Sequence, residues 1–443
     1  MKTGGRIAAA IEILEAWSSG RRPIKDEITD WGKRSRFAGS KDRAFISGLV
    51  LDALRRKASL GALMGADTAR ALAVGAHAHV WGWSVEAIEA AFAQDDHAPE
   101  PLTPAERAGL TATLREDATH PVRGDYPAWL DPMMRRAFGD RAVAEGQALA
   151  ARAPVDLRLN TLKAEPEKAL KAVAAIGAQP SAWLVTGARV PPAPSPARGG
   201  GVETIRAFAM GWVEVQDQGS QIAALAAGSI QGAQVLDYCA GGGGKTLALA
   251  AMSGNTGQIY AYDADARRLM PAIHRAKRAG ARAVQFRSPK DPEPLADLVG
   301  KMDVVFVDAP CSGSGTWRRK PDAKWRLKPA ALAKRQAEQD TVLAEAWAYV
   351  KPGGRLVYAV CSVFLEEAED RVDAFLRDRG NARRRAALEA MAETALLTAP
   401  GREAIAACVT PLGDIRLTPA APGVDGFFVS VIERLGSVSR APA

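Results

Sequence analysis

Residues 235–250 read VLDYCAGGGGKTLALA, which is an apolar strand, a glycine-rich turn and the start of a helix. Glycine lets the backbone approach a ligand closely, and a helix N-terminus offers free N–H groups. From residue 216 onward, strand and helix patterns alternate, as in a parallel sheet with crossover helices. Strands are expected at residues 234–238, 258–263, 303–308 and 355–361, and a helix at residues 329–350.

The spacing of the glycine turn separates the classes of cofactor that use such a turn. A P-loop requires a glycine five positions before its Gly-Lys pair, and for Gly244 and Lys245 that position is Cys239. A dinucleotide-binding fingerprint requires a glycine at position 246 or 247, where Thr246 and Leu247 stand. Both phosphate-binding classes are therefore excluded.

The remaining pattern is an acidic residue followed by a Gly-x-Gly turn, formed by Asp237, Gly241 and Gly243. This pattern suits the amino-acid end of S-adenosylmethionine, which has no phosphate to bind. The next predicted strand ends at Asp263, where a carboxylate can accept hydrogen bonds from both ribose hydroxyls. A purely structural strand-to-helix turn is the alternative at this point.

Two cysteines follow two predicted strands. Residues 303–322 read DVVFVDAPCSGSGTWRRKPD, in which a strand ends at Asp308 and Cys311 comes three residues later. A second strand, LVYAV, is followed directly by Cys361. A lone free cysteine is commonly a small buried hydrophobe, but residues just past parallel strands face the ligand crevice. Two cysteines in such positions favour a chemical role.

This set of groups suits methylation of cytosine at carbon 5. That carbon is a poor nucleophile until a thiolate adds to carbon 6 of the ring. An acid at ring nitrogen 3 must stabilise the developing charge, and Asp308 is placed for this role. A second cysteine can assist when the carbon 5 proton leaves and the thiol is expelled. Lys245 would supply a positive charge that favours the thiolate.

The composition indicates a globular protein without a membrane span or a disulfide framework. The 443 residues carry a net charge of +8, with 47% hydrophobic and 24% charged residues. Four cysteines without a CxxC pair predict reduced thiols in the cytosol and no structural zinc or other metal. The N-terminus reads as an amphipathic segment rather than a signal peptide, and no apolar run approaches the roughly 20 residues of a membrane helix. We expect a cytosolic monomer.

Three domains are predicted. Residues 1–120 read as all-helical, and the first 60 residues hold thirteen Lys and Arg against seven Asp and Glu, which fits either a solvated helix face or an RNA-docking bundle. Residues 126–215 read as a small α+β module with a strand at 156–160, a helix at 166–176 and a Pro/Gly loop at 191–201. Residues 216–435 form the α/β domain.

A basic stretch with tryptophans follows Cys311 and predicts contact with RNA. Cations can hold phosphates while an indole ring stacks on an unpaired base. A solvated loop around core tryptophans is the alternative. The predicted RNA-binding residues are Trp317, Arg318, Arg319, Lys320, Lys324 and Arg326.

The motifs LDYCAGGGGKT, VDAPCSGSGTWRRKPDAKW and LVYAVCS together resemble those of the Nop/Sun family of RNA cytosine-5 methyltransferases. The resemblance is greatest to bacterial small-subunit rRNA enzymes with an N-terminal NusB-like domain. It covers nearly the whole chain: SKDRAFISGLVLDALRR is similar to the NusB-like part, PVDLRLNTLK and VQDQGSQ to the middle, RRM-like module, and DGFFVSVIER to the last strands. The resemblance implies a Rossmann-like class I methyltransferase domain that uses S-adenosylmethionine on RNA.

The resemblance also implies roles for residues. Cys361 corresponds to the family's nucleophile, and Cys311 to the cysteine that aids release of the product. DNA cytosine-5 methyltransferases use a Pro-Cys cysteine as the nucleophile, so the two roles could be exchanged here. The cofactor-binding positions fall on Cys239, Ala240, Gly241, Gly242, Gly243, Gly244, Lys245, Asp263 and Asp308.

The sequence departs from the family pattern at three places. Gly241 and Gly242 replace an Ala-Pro pair, Val360 replaces a threonine, and residues 284–291 (VQFRSPKD) offer no clear acidic contact for adenine. Weaker cofactor binding is expected as a result. Two alternatives to an rRNA methyltransferase stay open: a tRNA cytosine-5 methyltransferase, and a non-catalytic RNA-binding assembly factor that retains the fold.

Overall fold

The computed structural model describes residues 1–20, 22–194 and 201–436, so most of the predicted loop at 191–201 lies outside the described residues. The helices are α1 (Thr3–Ser19), α2 (Ile24–Arg34), α3 (Ser40–Arg55), α4 (Lys57–Met64), α5 (Ala69–His79), α6 (Val85–Ala93), α7 (Pro104–Thr111), α8 (His120–Gly124), α9 (Asp131–Phe138), α10 (Ala142–Ala150), α11 (Pro166–Val173), α12 (Arg206–Ala209), α13 (Gln218–Leu225), α14 (Gly244–Met252), α15 (Ala266–Ala279), α16 (Ala323–Arg326), α17 (Pro329–Trp347), α18 (Glu369–Arg377), α19 (Ala387–Ala392) and α20 (Ala399–Ala406). The strands are β1 (Val155–Leu159), β2 (Gln179–Pro180), β3 (Gly187–Val190), β4 (Val213–Val215), β5 (Gln234–Asp237), β6 (Gln258–Tyr262), β7 (Val284–Arg287), β8 (Met302–Asp308), β9 (Val350–Val360), β10 (Ala382–Arg385), β11 (Ile415–Leu417) and β12 (Phe427–Arg434).

The chain forms two compact units. Of the described residues, the first, a helical unit, comprises 1–20, 22–153, 192–194 and 317–327; the second, an α/β unit, comprises 154–191, 201–316 and 328–436. Among the described residues, no helix combines the length and the apolar character that crossing a bilayer requires.

The helical unit is built on the apolar faces that the sequence predicts. Ile7 and Leu14 of α1 are buried, as are Phe45 and Leu49 of α3, because side chains three and four residues apart share one helix face. The unit extends past residue 120 to residue 153. Hydrogen bonds to buried carboxylates connect the N-terminal helices of this unit with its later residues. The carboxylate of Asp52, for example, accepts a hydrogen bond of 3.1 Å from Nε of Arg152.

The α/β unit contains two sheets among its described residues. The smaller is antiparallel, with the strand order β2-β3-β1-β4. The larger has the order β10-β12-β9-β8-β5-β6-β7, with β11 paired to β12. Strands β5 to β9 run parallel in this sheet, whereas β12 is antiparallel to β9. The observed strands agree with the predicted Rossmann-like α/β sheet, with boundaries shifted by a residue or more.

The order of the parallel strands fixes where a ligand can bind. The chain runs outward from β5 through β6 to β7 and then crosses to the other side of β5, where it forms β8 and β9. The crevice of such a sheet opens at the carboxyl ends of the strands where the order reverses, here β5 and β8. Asp237 and Asp308 end these two strands. The predicted site therefore lies at the edge of the sheet where the fold opens a crevice.

Candidate active site

The glycine turn connects β5 to α14. Gly241 and Gly243 have φ angles of +50° and +80°, in the left-handed region that favours glycine. A Cβ atom on Gly243 would lie 2.8 Å from Cβ of Ala272, so this position also has no room for a side chain. The turn is closed by hydrogen bonds from the amide of Gly243 to the carbonyl of Ala240 (2.8 Å) and from the amide of Leu247 to the carbonyl of Gly243 (3.0 Å).

Three carboxylates surround this turn, and two of them carry features that fit a bound cation or sugar. Asp237 is fully buried, and among the described residues its Oδ1 has no hydrogen-bond partner, while Oδ2 accepts from the Thr246 hydroxyl at 2.6 Å. Asp263 accepts from the amide of Gly241 at 2.9 Å. The orphaned oxygen of Asp237 and the carboxylate of Asp263 fit the predicted amino-acid and ribose ends of S-adenosylmethionine.

Asp263 has more partners within the protein than the sequence indicates. Its carboxylate also accepts from the amide of Asp265 at 2.9 Å and pairs with Arg268 at 3.1 Å. A carboxylate has about four acceptor positions, and three of these are occupied. Because Arg268 is more than half exposed, its side chain can move away, and accepting both ribose hydroxyls would require that movement.

The third carboxylate, Asp308, is paired with Lys245. The Lys245 ammonium lies 2.7 Å from Oδ2 of Asp308 and 4.9 Å from the centre of the Phe427 ring. Lys245 is buried, whereas the side chain of Asp308 is one-third exposed at the end of β8. The structure thus brings the two predicted residues together and leaves the carboxylate open to the crevice.

The two cysteines are adjacent. The sulfur atoms of Cys311 and Cys361 lie 3.4 Å apart, and both cysteines are free. Strand pairing explains the approach, because Asp308 of β8 lies beside Ala359 of β9 and each cysteine follows within three residues. Contact with the Cys361 thiol, followed by burial, raises the pKa of Cys311 well above its ordinary value. Burial also raises the pKa of the Cys239 thiol.

A buried glutamate that the sequence analysis missed holds the two cysteine loops together. Glu367 accepts from the amide of Ser312 at 2.7 Å and from the hydroxyls of Ser312 and Ser362. It also accepts from the side-chain amide of Gln339 at 3.1 Å. Ser312 and Ser362 directly follow Cys311 and Cys361. In the sequence, Glu367 is one of several acidic residues before α18, a common feature of helix starts, so no signal distinguished it.

The structure corrects the predicted RNA surface for Trp317, Arg318 and Lys324. These side chains are at most 4% exposed and belong to the helical unit. The Lys324 ammonium donates to the carbonyls of Arg55 (2.9 Å) and Asp125, and burial lowers its pKa to about 7. A phosphate contact by Lys324 would leave these carbonyls without their donor.

The other predicted RNA-binding residues are more accessible. Arg319 is half-buried, whereas Lys320 and Arg326 are exposed. Arg326 forms an ion pair with Asp322 at 2.8 Å. The charged ends of Lys320 and Arg326 are therefore accessible to a ligand, and their contact with RNA stays a prediction.

A buried Asp237 makes the stability of the protein depend on pH. Burial, with repulsion from Asp308 and Asp263, raises its pKa from 3.8 to about 7. The folded state then binds a proton that the unfolded state releases, so stability falls as the pH rises from about 4 to about 7. We expect the free energy of unfolding of the Asp237→Asn variant, taken relative to that of the wild type, to increase by roughly 2–3 kcal/mol when the pH is raised from 5 to 8. Denaturant unfolding at both pH values measures this, and an equal difference at both would contradict it.

Comparison with known proteins shows which methyltransferases this chain resembles. Residues 225–433 match the family model of 16S rRNA methyltransferase RsmB/F. Ribosomal RNA small subunit methyltransferase B of Salmonella typhi is 32% identical over 295 residues, which are 66% of this chain and 65% of that protein. A probable ribosomal RNA small subunit methyltransferase B of Synechocystis sp. is 30% identical over 281 residues, covering 62% and 61% of the two chains. The chain thus spans less than two thirds of the length of these curated relatives.

Solved structures share the fold. The crystal structure of PH0851 superposes with a TM-score of 0.73 at 23% identity, over 98% of this chain and 100% of that one. A methyltransferase homolog from Pyrococcus horikoshii gives a TM-score of 0.57 at 25% identity, over 71% and 98%. The family match confirms S-adenosylmethionine as the cofactor. The match over residues 225–433 and these relatives show that this part of the chain is similar to RsmB/F 16S rRNA methyltransferases, in agreement with the Nop/Sun motifs of its sequence.

Proposed function

We propose that this chain methylates carbon 5 of a cytosine in small-subunit rRNA through a covalent adduct with Cys361. The observation that carries the proposal is the pair of sulfur atoms 3.4 Å apart, just past the ends of β8 and β9, with Asp308 as the last residue of β8. A structural role would require only one small apolar side chain at each position. The names of the relatives, which are rRNA small subunit methyltransferases, support the substrate class.

The residues of the site divide the reaction between them. The Cys361 thiolate attacks carbon 6, and a carbon–sulfur bond forms as the ring electrons move toward nitrogen 3, which takes a proton that the Lys245 ammonium passes through the paired carboxylate of Asp308. Carbon 5 becomes nucleophilic. S-adenosylmethionine, when bound, supplies an electrophilic methyl group. The nitrogen 3 proton then returns through Asp308 to Lys245, the carbon 5 proton is lost to water with the assistance of Cys311, the carbon 6–sulfur bond breaks, and the Cys361 thiolate is released.

Lys245 and the carboxylates prepare the site for this chemistry. The Lys245 ammonium holds Oδ2 of Asp308 at 2.7 Å and so fixes the orientation of its carboxyl group toward the crevice. The loop residues 239–245, with Asp237 and Asp263, would hold the cofactor. Because the two cysteines follow strand ends, a target base must be unstacked to reach them, which favours single-stranded or loop RNA.

The predicted domains belong to the same proposal. Residues 1–120 would form a NusB-like RNA-binding domain, residues 126–215 an RRM-like module, and residues 216–435 the methyltransferase domain. The helices of the first unit support the first of these domains, and the small antiparallel sheet at residues 155–215 supports the second, with residues 126–153 packed in the helical unit. We also propose that the protein acts as a monomer in the cytosol.

Bisulfite sequencing of total RNA from a deletion strain tests the function. We expect the loss of one methylcytosine in small-subunit rRNA and its return when the wild-type gene is restored. Loss of a tRNA methylcytosine instead would identify the tRNA alternative. An unchanged methylcytosine map, together with no calorimetric binding of S-adenosylmethionine at millimolar concentration, would favour the non-catalytic assembly factor.

A further inference from the structure

The cofactor turn contains four consecutive glycines, Gly241 to Gly244, so its backbone is little restricted in conformation. A flexible loop must lose conformational entropy when it binds a ligand, and that loss weakens binding unless other groups already hold the loop in place. The closing hydrogen bonds within the turn involve the amides of Gly243 and Leu247. Two further carbonyls of the turn, those of Gly242 and Gly244, are held by side chains from outside it.

The first outside contact comes from α15. Nη1 of Arg275 donates to the carbonyl of Gly242 at 2.6 Å. The same guanidinium donates through Nε (3.2 Å) and Nη2 (3.0 Å) to one oxygen of Glu214. Glu214 is 2% exposed, and its other oxygen accepts from Arg278. Two nitrogen atoms of the Arg275 guanidinium thus bind a buried carboxylate, and the third donates to the loop.

The second contact comes directly from the small sheet. Gln216, just past β4, donates through Nε2 to the carbonyl of Gly244 at 3.3 Å, and its Oε1 accepts from Nε of Arg158 at 2.8 Å. Residues 214 and 216 are two positions apart and so face the same side of an extended chain. Arg158 lies opposite Glu214 in the β1–β4 pairing and is buried. The residues that bind the carbonyls of Gly242 and Gly244 are therefore both anchored on one face of the small sheet.

We propose that the small sheet acts as a clamp for the cofactor loop, with Arg275 as a positioning residue that sets the loop in its binding conformation before S-adenosylmethionine arrives. Glu214 orients Arg275, and Gln216 fixes the start of α14. The sheet at residues 155–215 then serves the cofactor, in addition to any contact with RNA. This inference depends on the cofactor and not on which nucleotide is methylated.

The Arg275→Met variant tests the clamp in the full-length protein. We expect the dissociation constant for S-adenosylmethionine, measured by calorimetry, to rise about tenfold, as expected for the loss of one charge-assisted hydrogen bond. Hydrogen exchange at the amides of residues 241–244 should be faster in the ligand-free variant. In methylation assays KM for the cofactor should rise while kcat at saturation changes less than about twofold. Arg275→Lys, which retains one donor, should be intermediate.

Arg278→Met is the matched control. Arg278 shares the Glu214 carboxylate and packs on the Phe208 ring at 4.0 Å, but it does not touch the loop. We expect its cofactor affinity to stay within about twofold of the wild type. Equal losses in both variants would mean that the arginines merely stabilise the fold, and unchanged affinity and exchange in Arg275→Met would overturn the clamp.

A second substitution can restore the clamped state. Gly242 has no positive φ angle, and a Cβ there would meet only Nη1 of Arg275 at 3.7 Å. Gly242→Ala therefore stiffens the loop without a clash. Added to Arg275→Met, it should recover part of the lost affinity. Calorimetry reports cofactor binding directly, so a chain that binds S-adenosylmethionine but methylates no cytosine would refute the proposed function and leave the clamp intact.

Discussion

The Cys361→Ala variant is expected to lose methyl transfer by about a thousandfold or more, whereas Cys311→Ala should leave RNA covalently attached to the protein. Without the Cys361 thiol no bond to carbon 6 can form, so carbon 5 stays unreactive. Without Cys311 the bond can still form, but release of the product is impaired. Cys361→Ala is therefore expected to block formation of the covalent adduct, and Cys311→Ala to block its breakdown.

Denaturing gel electrophoresis with labelled RNA distinguishes the two failures. A slower band that carries both protein and label should appear with Cys311→Ala and be absent with Cys361→Ala. The Cys408→Ala variant is the control. Cys408 lies just past the end of α20, where its thiol donates to the carbonyl of Ala404, and it is not part of the Cys311–Cys361 pair. A covalent band in Cys361→Ala and none in Cys311→Ala would exchange the roles, as in the DNA enzymes.

One property of Cys311 favours the proposed division of roles between the cysteines. The pKa of Cys311 is raised well above its ordinary value, first by contact with the Cys361 sulfur and then by burial. A thiol that keeps its proton is a poor nucleophile, which favours Cys361 over Cys311 as the attacking group. Cys361 lies at the end of β9, the longest described strand of the large sheet, and packs against the apolar core below it.

The sequence predicted those parts of the site that depend on strand ends. Asp237, Asp308 and Cys361 each terminate or follow an apolar strand, and carboxyl ends of parallel strands meet at one edge. Lys245 was predicted without a partner, because the first turn of a helix can point its side chains in several directions. Its pairing with Asp308 became visible only once β5 and β8 were adjacent.

The sequence could not reveal contacts whose partners are distant in the chain and of ordinary residue type. Arg275 is one of several basic residues on the amphipathic helix α15, and only the position of β4 distinguishes it from a solvated cation. Lys324 shows the opposite error. A lysine in a basic, tryptophan-rich stretch is typical of a nucleic-acid surface, but its ammonium is enclosed by backbone carbonyls of the helical unit. Composition does not distinguish these two environments.

The second large effect is expected from Glu367→Ala. The carboxylate accepts from four donors on three segments of the chain, and the side chain is fully buried. Its removal leaves these donors without an acceptor in a buried space, at a cost of roughly 3–5 kcal/mol in the free energy of unfolding. The loops after Cys311 and Cys361 then lose their common anchor. We expect kcat to fall about a hundredfold, because small displacements of reacting groups lower the rate steeply.

The conservative variant Glu367→Gln separates positioning from stability. The glutamine oxygen can accept from the amide of Ser312 and from Gln339, and its amide can donate to hydroxyl oxygens, so most of the network can re-form. Its kcat should therefore lie between those of the wild type and Glu367→Ala. Glu338→Gln is the control, because Glu338 pairs with Arg335 on the exposed side of α17. It should match the wild type in both stability and rate.

The rate at which an alkylating reagent modifies Cys361 distinguishes the two roles of Glu367, positioning of the thiols and stabilisation of the fold. If Glu367 positions the thiols, the alkylation rate and kcat should change together in Glu367→Ala at a temperature where the variant is folded. If Glu367 only stabilises the fold, the thermal midpoint should fall while kcat per folded molecule stays within about twofold of the wild type. A buried carboxylate that accepts from the residues directly after both cysteines is costly to desolvate, and its place between the two loops favours the positioning role.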